Sequence, residues 1–181
     1  MKRDLILIGT AMFAWGLGEG LFIYFQPLYL EELGADPILI GTILGGFGMA
    51  MTLSHIPAGF LADRFGRKPL MVAAWATGTA TCWIMAFANN LTIFTIGLLF
   101  YGTTLFVMSP LTSYLTAARG KLSVGRVITL MSAGFNSGAV LGPIVGGRIG
   151  DIYGLRYSYY AAGVIFFLSL IVISFIKAQP V

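Results

Sequence analysis

Six apolar stretches, each long enough to cross a bilayer and separated from the next by a few polar residues, dominate this chain of 181 residues. A soluble core helix needs one apolar face. A stretch of about 20 residues that is apolar all round has no stable place in water and reads as a membrane span. Composition agrees, with 57% hydrophobic and 10% charged residues and a mean hydropathy of +0.88, far from soluble globular usage. The spans read as about residues 5–30, 38–62, 70–88, 91–118, 127–149 and 157–176. The first is too long for a signal peptide and has no small-residue cleavage site before Glu31. Short turns leave no room for a soluble domain, so the expected fold is an all-α membrane bundle in a single domain.

The charges orient it. Lys2, Arg3, Arg64, Arg67, Lys68, Arg119, Lys121, Arg126 and Lys177 fall on the side of both termini, whereas only Arg148 and Arg156 fall opposite. By the positive-inside rule both ends are expected in the cytoplasm. The net charge of +4 therefore reports topology and points to no nucleic-acid partner. The single Cys82 lies inside a span and reads as a small buried hydrophobe.

Between the second and third spans, Gly59-Phe60-Leu61-Ala62-Asp63-Arg64-Phe65-Gly66-Arg67-Lys68-Pro69-Leu70 crowds four charges into a short hairpin. Gly66 supplies the turn, and Pro69 suits the first turn of a helix, where no amide donor is needed. A generic basic loop explains Arg64, Arg67 and Lys68. It does not explain an acid four residues after Gly59 on the same helical face. The stretch resembles the G-x-L-A-D-R-x-G-R-K loop of the major facilitator superfamily of secondary transporters. In the fifth span, Gly138, Gly142, Pro143, Gly146 and Gly147 are similar to that family's G-x-x-x-G-P-x-x-G-G motif, best known in its antiporters. Gly134, Gly138, Gly142 and Gly146 recur every four residues and leave one face as bare backbone, which lets helices approach closely. Gly154-Leu155-Arg156-Tyr157 is a weak likeness to an external G-W-R-W turn, and its tyrosines also suit an interfacial aromatic belt. The fourth span lacks the arginine that the family often places four residues before a glycine; Leu98 stands there, before Gly102.

The resemblance implies a six-helix half of a twelve-helix transporter, built from two inverted three-helix repeats, in an integral membrane of a prokaryotic cell. It further implies that spans one and four line a cavity, two and five flank it, and three and six face lipid. Gly59, Asp63, Arg64, Gly66, Arg67 and Lys68 would form the gating motif. A second six-helix half, as a homodimer or a separate chain, would complete the transporter, with Asp63 approaching the glycine face of span five and its first turn near Arg126 and Thr129. The alternative is a truncated product, or a non-transporting scaffold or assembly partner.

Glu19 is the one ionisable residue deep in a span. Placing a charge there costs about 2.5–3.5 kcal/mol on insertion scales, so such residues face protein or water and mark pathways. A group that takes up and releases a proton during transport fits that position. Trp15, Glu19 and Gln26 fall on one helical face at intervals of four and seven, and Tyr24 and Tyr101 complete a mixed aromatic and polar set for a small-molecule substrate. Hydroxyls of Thr103, Thr104, Ser109, Thr112 and Ser113 either line the cavity or bond their own helix. His55, in register with Thr52 and Gly59, reads as a packed histidine, and Asn136 as interhelical glue. With no phosphate-cradling loop, nucleophile–base pairing or Cys/His cluster in the sequence, neither an enzyme, a metal nor a cofactor is expected.

Overall fold

The computed structural model describes residues 2–179, with the side chains of Lys2, Pro57, Ala58, Gly59 and Asp63 outside that description. Among the described residues all regular structure is helical. The elements are α1 (Lys2–Gly20), α2 (Gln26–Glu32), α3 (Pro37–Phe65), α4 (Arg67–Phe87), α5 (Leu91–Thr103), α6 (Met108–Ala118), α7 (Val124–Tyr153) and α8 (Leu155–Ser174). They make six stretches long and apolar enough to cross a membrane, Arg3–Glu32 and Leu91–Ala118 each combining two helices.

Those two composite spans break for the same reason. Tight 3-10 turns, Ile23–Phe25 and Thr104–Val107, interrupt them. Pro27 and Pro110 follow directly, and each lacks the N–H that would have bonded the carbonyl four residues earlier, at Ile23 and Phe106. The two prolines were the sequence signal for breaks that the reading of continuous spans passed over.

Caps fix the other boundaries. The carboxylate of Asp36 accepts from the Leu39 amide at 2.8 Å, and Pro37 opens α3. Asn90 accepts from Ile93 at 2.9 Å, and Ser123 accepts from Arg126 at 3.3 Å, each satisfying a donor that the first helical turn leaves free. Gly66, at φ +85°, separates α3 from α4, and Gly154, at φ +97°, separates α7 from α8. Both are left-handed positions that favour glycine.

The bundle core divides into two clusters. Toward the termini, Ile8, Met71, Tyr114, Val127 and Ile173 pack together; toward the opposite end lie Phe22, Tyr29, Phe94, Tyr159 and Phe166. Trp15 touches both. The third and sixth spans are 50% and 39% buried over their apolar windows, against 11% for the second and 17% for the fifth. α4 and α8 thus do more than face lipid. They pack along each other, and α8 packs along α1, burying Trp75, Cys82, Met85, Phe166 and Ser169 while Val164, Phe167 and Leu168 point outward. The second and fifth spans are the ones left uncovered.

At the end opposite the termini, Arg156 joins three spans. It donates to Tyr29 Oη at 3.2 Å, to Asn89 Oδ1 at 3.4 Å and to the Ala88 carbonyl at 2.7 Å. This fastening is what the Gly154-Leu155-Arg156-Tyr157 turn does in the structure.

Candidate functional site

A cavity of about 240 Å³ opens between the two core clusters, lined by Met12, Trp15 and Glu19 of α1, Phe47 and Met51 of α3, Trp75 of α4, Tyr101 of α5, Thr104 in the break of span four, and Phe135 of α7. Its one carboxyl group among these is Glu19, whose Oε2 accepts a hydrogen bond from Tyr101 Oη at 3.1 Å. The rest of the wall joins aromatic rings to aliphatic and methionine side chains. Trp15 meets Trp75 edge to face, with ring centroids 5.4 Å apart at 63°. It also stacks on Phe166 at 4.1 Å and 11°, and Tyr101 lies parallel to it at 6.3 Å.

Two glycines let these rings in. A Cβ on Gly78, one turn after Trp75, would sit 2.7 Å from Trp15 Cζ2, and one on Gly102 would sit 2.9 Å from Phe47 Cδ2. The 3-10 turn shapes the wall as well: Thr104 turns its hydroxyl onto the Tyr101 carbonyl at 2.7 Å and still lines the cavity. Thr103 and Thr116 likewise bond their own helices.

The pathway residues named from sequence separate into two groups. Trp15, Glu19 and Tyr101 meet in the cavity. Gln26 and Tyr24 do not line it; for Gln26 the break at Ile23–Phe25 ends the helical register that put it on the face of Glu19. Gln26 is buried with its amide nitrogen unpartnered, and Tyr24 is 67% exposed. His55 is exposed rather than packed, since its stretch of α3 has little of the chain against it. Asn136 bonds its own helix through the Ser132 carbonyl at 2.7 Å and, among the described residues, makes no hydrogen bond to another helix.

The hairpin residues lie at the terminal end. The side chains of Gly59 and Asp63 lie outside the described residues, so the expected docking of Asp63 has no geometry. Arg64 sets its guanidinium 5.5 Å from the Phe65 ring centre. Gly66 makes the turn, Lys68 is half-buried, and Arg67 donates to Gln179 Oε1 at 3.0 Å. Gln179 donates in turn to the Tyr114 carbonyl at 3.2 Å.

The glycine face of α7 is occupied within the chain. A Cβ on Gly142 would fall 2.6 Å from both Gly20 Cα and the Leu17 carbonyl oxygen, and one on Gly146 would fall 2.6 Å from Leu21 Cα. Gly138 faces the backbone of Phe13 and Leu17. Of the four motif glycines, Gly147 alone looks onto a side chain, Phe25. Sequence reasoning missed Phe47, Trp75 and Phe135 on the cavity wall, as single aromatics in apolar spans carry no register of their own.

The six long apolar helical stretches define an integral, multi-pass membrane protein. Residues 7–181 match the model of the Major Facilitator Superfamily, and the chain belongs to that family of transporters. It is 28% identical over its whole length to an uncharacterised MFS-type transporter of Methanocaldococcus jannaschii, of which it covers 47%. It is 31% identical over 99% of its length to the multi-drug resistance efflux pump PmrA of Streptococcus pneumoniae, of which it covers 47%. It is 33% identical over 98% of its length to the multidrug resistance protein MdtG of Proteus mirabilis, of which it covers 46%. The chain therefore spans about half the length of these relatives. Among solved structures it superposes on the human organic anion transporter MFSD10 (TETRAN) with a TM-score of 0.80 at 17% identity, covering 98% of this chain and 48% of that one. A peptide transporter POT gives a TM-score of 0.82 at 22% identity, covering 94% and 37%. These two likenesses speak for the fold alone.

Proposed function

We propose that the chain forms one six-helix half of a secondary transporter that moves small amphipathic cations by alternating access, exchanging them for protons at Glu19. The observation that carries this reading is the placement of one carboxyl group, held by Tyr101, in a cavity whose walls are otherwise aromatic and aliphatic. Aromatic faces attract cations through their quadrupole, most strongly where water is excluded, and a carboxylate beside them supplies the countercharge. A proton and an organic cation then compete for the same group, which is the elementary requirement for exchange. The relative named as an efflux pump, PmrA, supports the direction, and no arginine in span four leaves the proton to Glu19.

A second six-helix unit, carried on the same polypeptide or supplied by another, would close the cavity against the uncovered faces of α3 and α7. In proteoliposomes with an imposed pH gradient, the protein should drive ethidium accumulation. Glu19→Gln should lower that gradient-driven flux by about tenfold or more, the loss expected when a buried charge partner is removed. Unchanged flux and unchanged pH response in Glu19→Gln would remove the exchange role.

A further inference from the structure

The sixth span contributes no side chain to the cavity wall described above, yet one turn of it holds both indoles of that wall. Ser169 of α8 is fully buried. Its hydroxyl accepts from Trp75 Nε1 at 2.8 Å and donates to the Ala11 carbonyl at 2.8 Å. Both directions are fixed, because the indole only donates and the carbonyl only accepts. Ala11 lies one helical turn before Trp15, so this relay ties Trp75 to the turn that carries Trp15. One turn before Ser169, Phe166 stacks on Trp15 itself. Gly78 leaves Trp15 pressed against α4, so that ring has no slack behind it.

We propose that Ser169 is a specificity-determining residue: by pinning the Trp75 indole through the Ala11–Ser169–Trp75 relay, it sets the edge-to-face angle of the two tryptophans and hence the cavity's preference for flat aromatic over compact aliphatic cations. This rests on the cavity being a cation site. Without the hydroxyl, the indole N–H is left unpaired in apolar surroundings. Such a group turns to find a partner, and Glu19 and Thr104 stand on the cavity wall that Trp75 shares. The flat wall is then lost, although Trp75 remains.

The test uses the protein in lipid nanodiscs with nitrogen-15 labelled tryptophan. The chain has three tryptophans, so three indole N–H signals are expected, with that of Trp75 assigned by its absence in Trp75→Phe. Ser169→Ala should shift the Trp75 signal and change the ratio of ethidium to tetraethylammonium affinity by about tenfold, the scale of one buried hydrogen bond. Ser169→Thr, which keeps the hydroxyl, should restore both. In a Trp75→Phe background Ser169→Ala should leave the ratio unchanged. If Ser169→Ala does not fold, Ser169→Cys, a weaker acceptor, carries the same test with a smaller shift. Where the wild type binds both cations, an unchanged ratio in Ser169→Ala, or an effect that persists without Trp75, overturns the role of Ser169 alone. A wild type that binds neither cation overturns the cavity reading, and this inference with it.

Discussion

Two helices of this chain are rich in regularly spaced glycine and use it in opposite ways. On α7, Gly138 and Gly142 lie against the backbone of α1 and Gly146 against that of Leu21 just beyond its end, so closely that a methyl group on any of them would meet main-chain atoms at 2.6 Å or less. On α3, Gly41, Gly45 and Gly48 face open space, with nothing within 4 Å of an added Cβ. A spacing of three or four residues is shared, and burial is not. A row of glycines therefore states that a close contact can form and leaves unsaid with what. For α7 the answer was inside the chain: α1 has Gly16 and Gly20 at the same spacing, and two bare faces of equal pitch can approach to backbone contact. Pro143 adds to the match. It leaves the Ala139 carbonyl without its helical donor, and that oxygen lies 3.0 Å from where a Gly20 Cβ would be.

The largest expected effect follows from the packed face. Gly142→Val puts a branched side chain where Gly20 Cα and the Leu17 carbonyl stand. Backbone cannot step aside as a side-chain tip can, so the cost is at least the upper end of the overpacking range, about 3 kcal/mol. Thermal unfolding in detergent should show a large fall in Tm or a loss of the monodisperse species. A Gly142→Val variant as stable as wild type would mean that α1 and α7 are not in backbone contact.

Within the same motif Gly147 should behave differently. Its Cβ would meet Phe25 Cζ at 3.2 Å, the far end of a ring, which a few tenths of an ångström relieve. Replacing a helical glycine with alanine gains up to about 1 kcal/mol of intrinsic propensity. Gly147→Ala is therefore expected to be neutral or slightly stabilising in the unfolding assay that condemns Gly142→Val. An equal loss in both variants would erase the distinction between backbone and side-chain contact on this face.

Legibility followed how local each cause was. The six spans, the Gly66 turn and the caps at Asp36, Asn90 and Ser123 are decided within a few residues, and hydropathy and residue type report them directly. The cavity was legible as far as one helix could carry it. Trp15 and Glu19 share a face at an interval of four, and that survives. Gln26 was assigned to the same face by extending the register through Ile23–Phe25, where Pro27 removes the hydrogen bond that the extension requires. The faces of α4 and α8 were beyond reach for another reason: in lipid the outward and inward sides of a helix are both apolar, so amphipathicity cannot say that Trp75 and Ser169 point inward while Val164 and Leu168 point out.

The smallest expected effect on this bundle is also the one that separates the two glycine helices most sharply. Gly45→Leu adds a large side chain to a face of α3 that the chain leaves empty, beside Met49 and Leu53, which are already exposed. Nothing within the bundle resists it, so the Tm of the isolated six-helix unit should stay within error of wild type. If the α3 face is bare because a second six-helix unit packs there, the same change should abolish ethidium flux while leaving that Tm untouched, since a leucine would hold the units apart. If lipid alone covers the face, flux should survive as well. Gly142→Val loses the bundle and transport together. Only at Gly45 do stability and transport come apart, and that separation measures whether an empty row of glycines is a vacancy for a partner or a surface already complete in the membrane.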